Sequence, residues 1–363
     1  MRKLFALAAV GVLALGVAAC GSSDNNKGGS SSSTPDSGGS INGAGATFPQ
    51  PVYDEWGARF KDKSGTTVNY QAVGSGAGVA QFTANTVDFG ATDAAMTDDE
   101  LKAAAKKGAP VHVPTVFGGV TVSYNLSGVK KGLKLDGATV ANMFLGKVKK
   151  WNDPSIAKQN AGVKLPSSSI TVCHRSDESG TTKLFTQFLA AYSPAWKSGP
   201  GVDKTVKWPT GTGAKGNDGV AACVKQNQGA VGYVEQAFAL QNNFTTAAVK
   251  NKTGNYVEPS LSSISAAGVG LKVPADLRFS AIDSPGANAY PIASATFILV
   301  YKDMCKAGKS ATVAQRVKNW LDYAEGDGQK VAPQLQYAPL PDSLHTQALA
   351  KVKGLTCNGT PLK

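Results

Sequence analysis

The chain has 363 residues, 42% of them hydrophobic, and a formal charge of +12, enough apolar material for two domains of ordinary size. Its basic residues form no interleaved basic-aromatic cluster, which argues against nucleic acid and leaves anions or an anionic envelope as the partners a basic surface favours. The three histidines (His112, His174 and His345) are scattered and no CxxC spacing occurs, so neither a metal centre nor any other cofactor is expected.

Arg2 and Lys3 precede an almost unbroken apolar run over residues 4–19. That run is shorter than the roughly 20 apolar residues a spanning helix needs. It ends in Val17-Ala18-Ala19-Cys20-Gly21, which resembles the lipobox of bacterial lipoproteins. The resemblance implies a signal peptide over residues 1–19, lipidation of Cys20 and anchoring to the cell membrane, facing outside the cytoplasm. Residues 20–40 continue with small and polar residues and no large apolar one. Such a segment buries too little surface to offset its ordering entropy and is expected as a flexible tether.

From residue 41 onward, short apolar runs alternate with amphipathic segments. Residues 52–63 have helical spacing, 67–70 read as a strand, 78–84 as a helix and 87–90 as a buried strand. Thr97-Asp98-Asp99-Glu100 is a capping box opening a helix through Lys107. Two strands are expected at 111–114 and 120–124, a helix at 138–145 and a strand at 170–174. The next helix starts at Gly180, with Leu184, Phe185, Phe188 and Leu189 on one face. A helix at 217–225, strands at 230–234 and 296–301 and a helix at 311–323 complete the pattern. Alternation of this kind predicts an α/β architecture with mostly parallel sheets, whose ligands bind beyond the carboxyl ends of the strands.

Four segments at such positions are rich in small and hydroxyl residues. They are Gly43-Ala44-Gly45-Ala46-Thr47-Phe48-Pro49, Val73-Gly74-Ser75-Gly76-Ala77-Gly78, Ala91-Thr92-Asp93 and the stretch Arg175-Ser176-Asp177-Glu178-Ser179-Gly180-Thr181-Thr182. Three of them feed helix N-termini, where unpaired N–H groups and a partial positive charge make an anion site. Thr47, Ser75, Ser179 and Thr181 add hydroxyl donors, and Arg175 a rigid fork of N–H groups. Asp177 stands close enough to hold that guanidinium in place. Singly, each segment also reads as an ordinary turn or cap, and Asp93 as a helix cap or a partner for Arg175. A carboxylate in an anion pocket repels its ligand unless the ligand brings a proton to donate, as hydrogen phosphate does and sulfate does not.

These same segments resemble the substrate-binding proteins of ABC-type phosphate importers, as do Pro51-Val52-Tyr53, Val87-Asp88-Phe89-Gly90, Lys150-Trp151-Asn152-Asp153-Pro154, residues 211–220 and Gly232-Tyr233-Val234-Glu235. The resemblance covers nearly all of residues 41 to about 340. It implies a two-lobed periplasmic-binding-protein fold of cluster II, with lobes joined by two hinge strands. One lobe would take residues 41–115 plus 288–363, and the other residues 116–287. It also implies inorganic phosphate as ligand, held by Thr47, Phe48 (main chain), Ser75, Asp93, Arg175, Ser179, Gly180 (main chain) and Thr181. The implied partners are the membrane permease subunits of an ABC importer, with the receptor acting as a monomer. One departure is Gly76, where family members often carry a second serine; a backbone donor there would be unaffected. The four cysteines after Cys20 allow three pairings. Cys173 with Cys223 and Cys305 with Cys357 is the expected choice, because each pair then lies within one lobe.

Two other readings compete. A receptor for sulfate or molybdate conflicts with Asp93. A secreted serine hydrolase would need Ser75 or Ser179 as nucleophile, but neither sits in G-x-S-x-G, and His174 has no evident orienting acid. Gly211-Thr212-Gly213-Ala214-Lys215-Gly216 fits the dinucleotide pattern, but Trp208-Pro209 precede it where a strand belongs, so it reads as a loop. No Walker motif is present, which excludes the ATPase of a transport system.

Overall fold

The computed structural model describes residues 38–129 and 132–363. The expected signal peptide, Cys20 and nearly all of the tether lie outside these described residues. Gly38–Lys363 forms one compact unit.

The chain begins β1 (Ser40–Gly45), α1 (Gln50–Ser64), β2 (Thr67–Ala72), α2 (Ser75–Ala84), β3 (Phe89–Thr92), α3 (Asp98–Ala104) and β4 (Pro110–Tyr124). The middle of the chain contains β5 (Lys134–Leu135), α4 (Gly137–Phe144), α5 (Pro154–Ala157), β6 (Thr171–Arg175), α6 (Gly180–Tyr192) and α7 (Pro194–Ser198). It continues through β7 (Thr212–Ala214), α8 (Gly216–Gln226), β8 (Ala230–Glu235) and α9 (Gln236–Gln241). Three short strands, β9 (Thr245–Thr246), β10 (Ala248–Lys250) and β11 (Tyr256–Val257), and helix α10 (Leu261–Gly268) lead back to β12 (Ala293–Tyr301) and α11 (Ala311–Glu325).

Nine strands form one sheet in the order β2-β1-β3-β12-β4-β8-β6-β7, with β9 added beside β4. Its flanks are parallel, β1 with β2 and β3, and β6 with β7 and β8. Its centre is antiparallel, because β12 and β4 run against each other and against β3 and β8. The expected mostly parallel sheet is therefore a mixed one. Local patterning reports burial and period but not the direction in which a returning strand is laid down.

The two strands expected at 111–114 and 120–124 are one strand of 15 residues. The backbone stays extended through Gly118-Gly119. A Cβ at Gly118 would stand 2.5 Å from the Phe48 ring, so that glycine serves close packing rather than a turn. The strand also changes partner at this point. Up to Gly119 it pairs with β12, and from Val120 onward with β8. The segment 211–216, expected as a loop, contains β7, laid parallel to β6 and followed directly by α8.

The α6 face anticipated from spacing is buried through Leu184, Phe185, Phe188 and Leu189, and Phe185 stacks on Tyr233 of β8 at 4.3 Å between ring centroids. Trp56 and Tyr53 of α1 pack with Trp320 of α11. Each such buried aromatic contributes about 1.5–3 kcal/mol of transfer free energy. Disulfides join Cys173 to Cys223 and Cys305 to Cys357, as expected. The first ties β6 to α8 across 50 residues of sequence, a constraint on the unfolded chain worth about 4 kcal/mol in the loop-entropy account.

Candidate anion-binding site

The carboxyl ends of β1, β3 and β6 and the N-termini of α2 and α6 converge. Thr47 follows β1, Asp93 follows β3, and Arg175 ends β6. Ser75 is the first residue of α2, and Ser179 is the N-cap of α6. Thr47, Phe48, Ser75, Asp93, Arg175, Ser179 and Thr181 are all at most 4% exposed. Helix α6 approaches α2 so closely that a Cβ on Gly180 would lie 2.5 Å from Ser75 Oγ and 2.8 Å from Asp93 Cβ. The two helix N-termini thus bring roughly half a positive charge each to one spot.

Asp93 is ringed by hydroxyls. Thr296 Oγ1 donates to Asp93 Oδ1 at 3.0 Å, and Thr181 Oγ1 to Asp93 Oδ2 at 3.2 Å. Ser75 Oγ lies 3.5 Å from the same oxygen and accepts the Asp93 N–H at 3.3 Å. Burial pushes the Asp93 carboxyl up to about 6, against the opposing pull of the Thr296 hydroxyl, the Arg175 charge, and the Thr181 and Ser75 hydroxyls. The carboxyl is thus a desolvated group whose side-chain hydrogen-bond partners are the Thr296, Thr181 and Ser75 hydroxyls.

Arg175 is gripped by Asp177 through both carboxylate oxygens, Nε to Oδ1 at 2.7 Å and Nη2 to Oδ2 at 2.5 Å. Burial works against the Asp177 charge, but the guanidinium and the Gly216 N–H, at 3.1 Å, hold its pKa below the usual carboxylate range. This fixes the fork so that Nη1 faces Thr181 Oγ1 at 3.5 Å. Asp177 thus meets the guanidinium with both of its carboxylate oxygens. Ser179 Oγ accepts the Thr182 N–H at 3.1 Å, which leaves its own hydrogen free to donate.

The halves of the chain meet across this site. Gly76 N–H donates to the Glu178 carbonyl at 3.0 Å, so the backbone donor anticipated at Gly76 is spent on the facing loop. Lys204, 5% exposed, pairs with Glu100 of α3, and Arg278 pairs with Asp98 at 2.8 Å. His174, weighed above as a possible base, has Nδ1 3.0 Å from the Arg175 carbonyl and its ring stacked on Trp208. The serine hydroxyls have other partners.

Three site neighbours were not anticipated. Thr296 sits within the apolar run of β12, where a threonine reads as an ordinary strand residue. Tyr233 accepts the Arg175 N–H at 3.1 Å and bonds Thr182 Oγ1 at 2.6 Å. Asn217, fully buried, reaches Thr47 Oγ1. In the sequence, Asn217 reads as part of a helix start and Tyr233 as part of a strand, and neither carries a sign of its partner.

A family profile described as the PBP superfamily domain matches residues 30–326. The phosphate-binding protein PstS of Pasteurella multocida is 40% identical over 316 residues, covering 86% of this chain and 90% of that protein. The phosphate-binding protein PstS 3 of Mycobacterium leprae is 36% identical over 366 aligned positions, covering 94% of this chain and 96% of that one. Among solved structures, a DING protein superposes with a TM-score of 0.71 at 23% identity, covering 88% of this chain and 99% of its own. At that identity the likeness speaks for the fold.

Proposed function

This chain belongs to the PBP superfamily and, within it, to the phosphate-binding proteins, and from that membership we propose that it binds inorganic phosphate outside the cytoplasm for an ABC-type importer. The observation that carries the reading is Asp93, a carboxyl group 1% exposed and ringed by hydroxyls beside Arg175. Such a group makes sense when the bound anion carries a hydrogen for it to accept. The relatives are binding proteins by name, and binding followed by release is the activity assigned here.

The ligand set is Thr47, Phe48 (main chain), Ser75, Asp93, Arg175, Ser179, Gly180 (main chain) and Thr181, with Asp177 supporting Arg175. Two lobes, 41–115 plus 288–363 and 116–287, close over the anion. The partner change of β4 at Gly119 and Val120 supports that division, as does the placement of each disulfide within one lobe. The Lys204–Glu100 and Arg278–Asp98 pairs then join lobe to lobe and favour the closed form. Closure exchanges phosphate's water for fixed donors, and the permease subunits engage the closed form. Cys20 carries the lipid that keeps the receptor at the membrane. More than one acyl chain is needed for stable attachment.

The reading is tested by thermal unfolding with added anions. Phosphate at about a hundred-fold excess over its dissociation constant adds about 2.7 kcal/mol to the folded state and raises Tm, whereas sulfate at equal ionic strength leaves it in place. Equal shifts with both anions would reject phosphate as the specific ligand.

A further inference from the structure

The Thr47 hydroxyl has an unusual set of neighbours. Asn217 approaches its oxygen twice, with the backbone N–H at 3.2 Å and Nδ2 at 2.8 Å. Both groups are donors and neither can accept. A threonine hydroxyl has two acceptor positions and one hydrogen, so with both acceptor positions filled it can only give its hydrogen elsewhere. The orientation of the Asn217 amide is set independently, because its Oδ1 accepts the Glu235 N–H at 3.0 Å. A flipped amide would set Nδ2 against that N–H. Glu235 ends β8 opposite Val120, where β4 changes partner. Asn217 is therefore tied at one end to the strand crossing and at the other to the loop after β1.

We propose that Asn217 is a positioning residue for anion binding: it fills the acceptor positions of Thr47 Oγ1 and so obliges that hydroxyl to donate to the bound phosphate. The contact spans the two proposed lobes, so the Thr47 hydrogen is aimed only when the lobes meet. The inference rests on Thr47 being a phosphate ligand, and the experiment separates the two claims.

Phosphate affinity is measured by calorimetry for the wild-type chain, Asn217→Asp, Thr47→Val and the double variant. Asn217→Asp keeps an acceptor for the Glu235 N–H but replaces the Nδ2 donor with an oxygen, so the Thr47 hydrogen turns away from the ligand. The expected result is a loss of about ten-fold or more for Asn217→Asp in the wild-type chain. In the Thr47→Val background, where no hydroxyl remains to be aimed, the loss falls to about two-fold. Asn217→Ala is read in the same cycle, so the coupling is obtained even if the aspartate variant fails to fold. Losses of equal size in both backgrounds would overturn the inference, since a packing or charge effect does not need the hydroxyl; so would full affinity in Asn217→Asp. If Thr47→Val binds phosphate as tightly as the wild type, the assignment of Thr47 as a ligand fails first.

Discussion

Replacing Arg175 with alanine is expected to weaken phosphate binding by about 100-fold. The guanidinium side chain is 1% exposed and bonded on two of its nitrogens to Asp177. Its removal deletes charge-assisted donors to the anion, and it leaves Asp177 with the Gly216 N–H at 3.1 Å as its remaining partner outside its own loop. It also removes the positive charge that offsets the burial of Asp93. Buried Asp93 and half-buried Asp177 then both lose the cation that offsets their charge. Truncating one member of a buried, hydrogen-bonded charge pair at a binding site costs about 2–5 kcal/mol, and each 1.4 kcal/mol is roughly ten-fold in affinity. Arg175→Lys keeps the charge but loses the fork, so it recovers part of the loss. Titration of both variants with phosphate checks this; a loss below about ten-fold for Arg175→Ala would mean that hydroxyls and helix N-termini supply the affinity.

The second large effect is on selectivity. Asp93→Asn replaces an acceptor-only carboxylate with an amide that also donates. Hydrogen phosphate loses the partner for its own hydrogen, while sulfate is relieved of facing a buried like charge. Repulsion of that kind amounts to several kcal/mol, so the ratio of phosphate to sulfate affinity should fall by about 100-fold or more. An unchanged ratio would remove Asp93 from the selectivity mechanism.

The same substitution has a pH signature in the ligand-free protein. The folded-state pKa of Asp93 is raised from 3.8 to about 6 by burial, so the group's contribution to stability is intact below about pH 4 and is lost as pH rises through 6. A shift of this size corresponds to a penalty on the order of 3 kcal/mol above pH 6. Asp93→Asn should therefore unfold at higher temperature than the wild type at pH 7–8, with the advantage gone near pH 4. The stability given up at neutral pH is a consequence of keeping a charged acceptor where only a protonated anion suits it.

Much of this was legible because each feature had a local cause. The capping box at Thr97 is present with both of its reciprocal bonds, since both partners lie within four residues. The α6 face followed from 3.6-residue spacing, and the glycine- and hydroxyl-rich segments followed from the need for small donors between a strand end and a helix. What escaped depends on distant partners. Gly118 carries no sign in the sequence that Phe48 packs against it. Asn217 at the second position of α8 looks like an ordinary helix-start residue, and Thr296 like a neutral strand former. Their contacts exist only because β12 returns beside β3 and the loop after β1 meets α8. The antiparallel centre of the sheet was missed for the same reason.

The proposed site takes phosphate and refuses sulfate. Calorimetric titration of the protein, stripped of bound ligand, with each anion separately at pH 7 tests it most directly. Saturable, tight binding of one phosphate per chain and no heat of binding with sulfate are expected. Binding of sulfate alone, or of neither anion, would contradict the proposal and move the search to other oxyanions on the same fold.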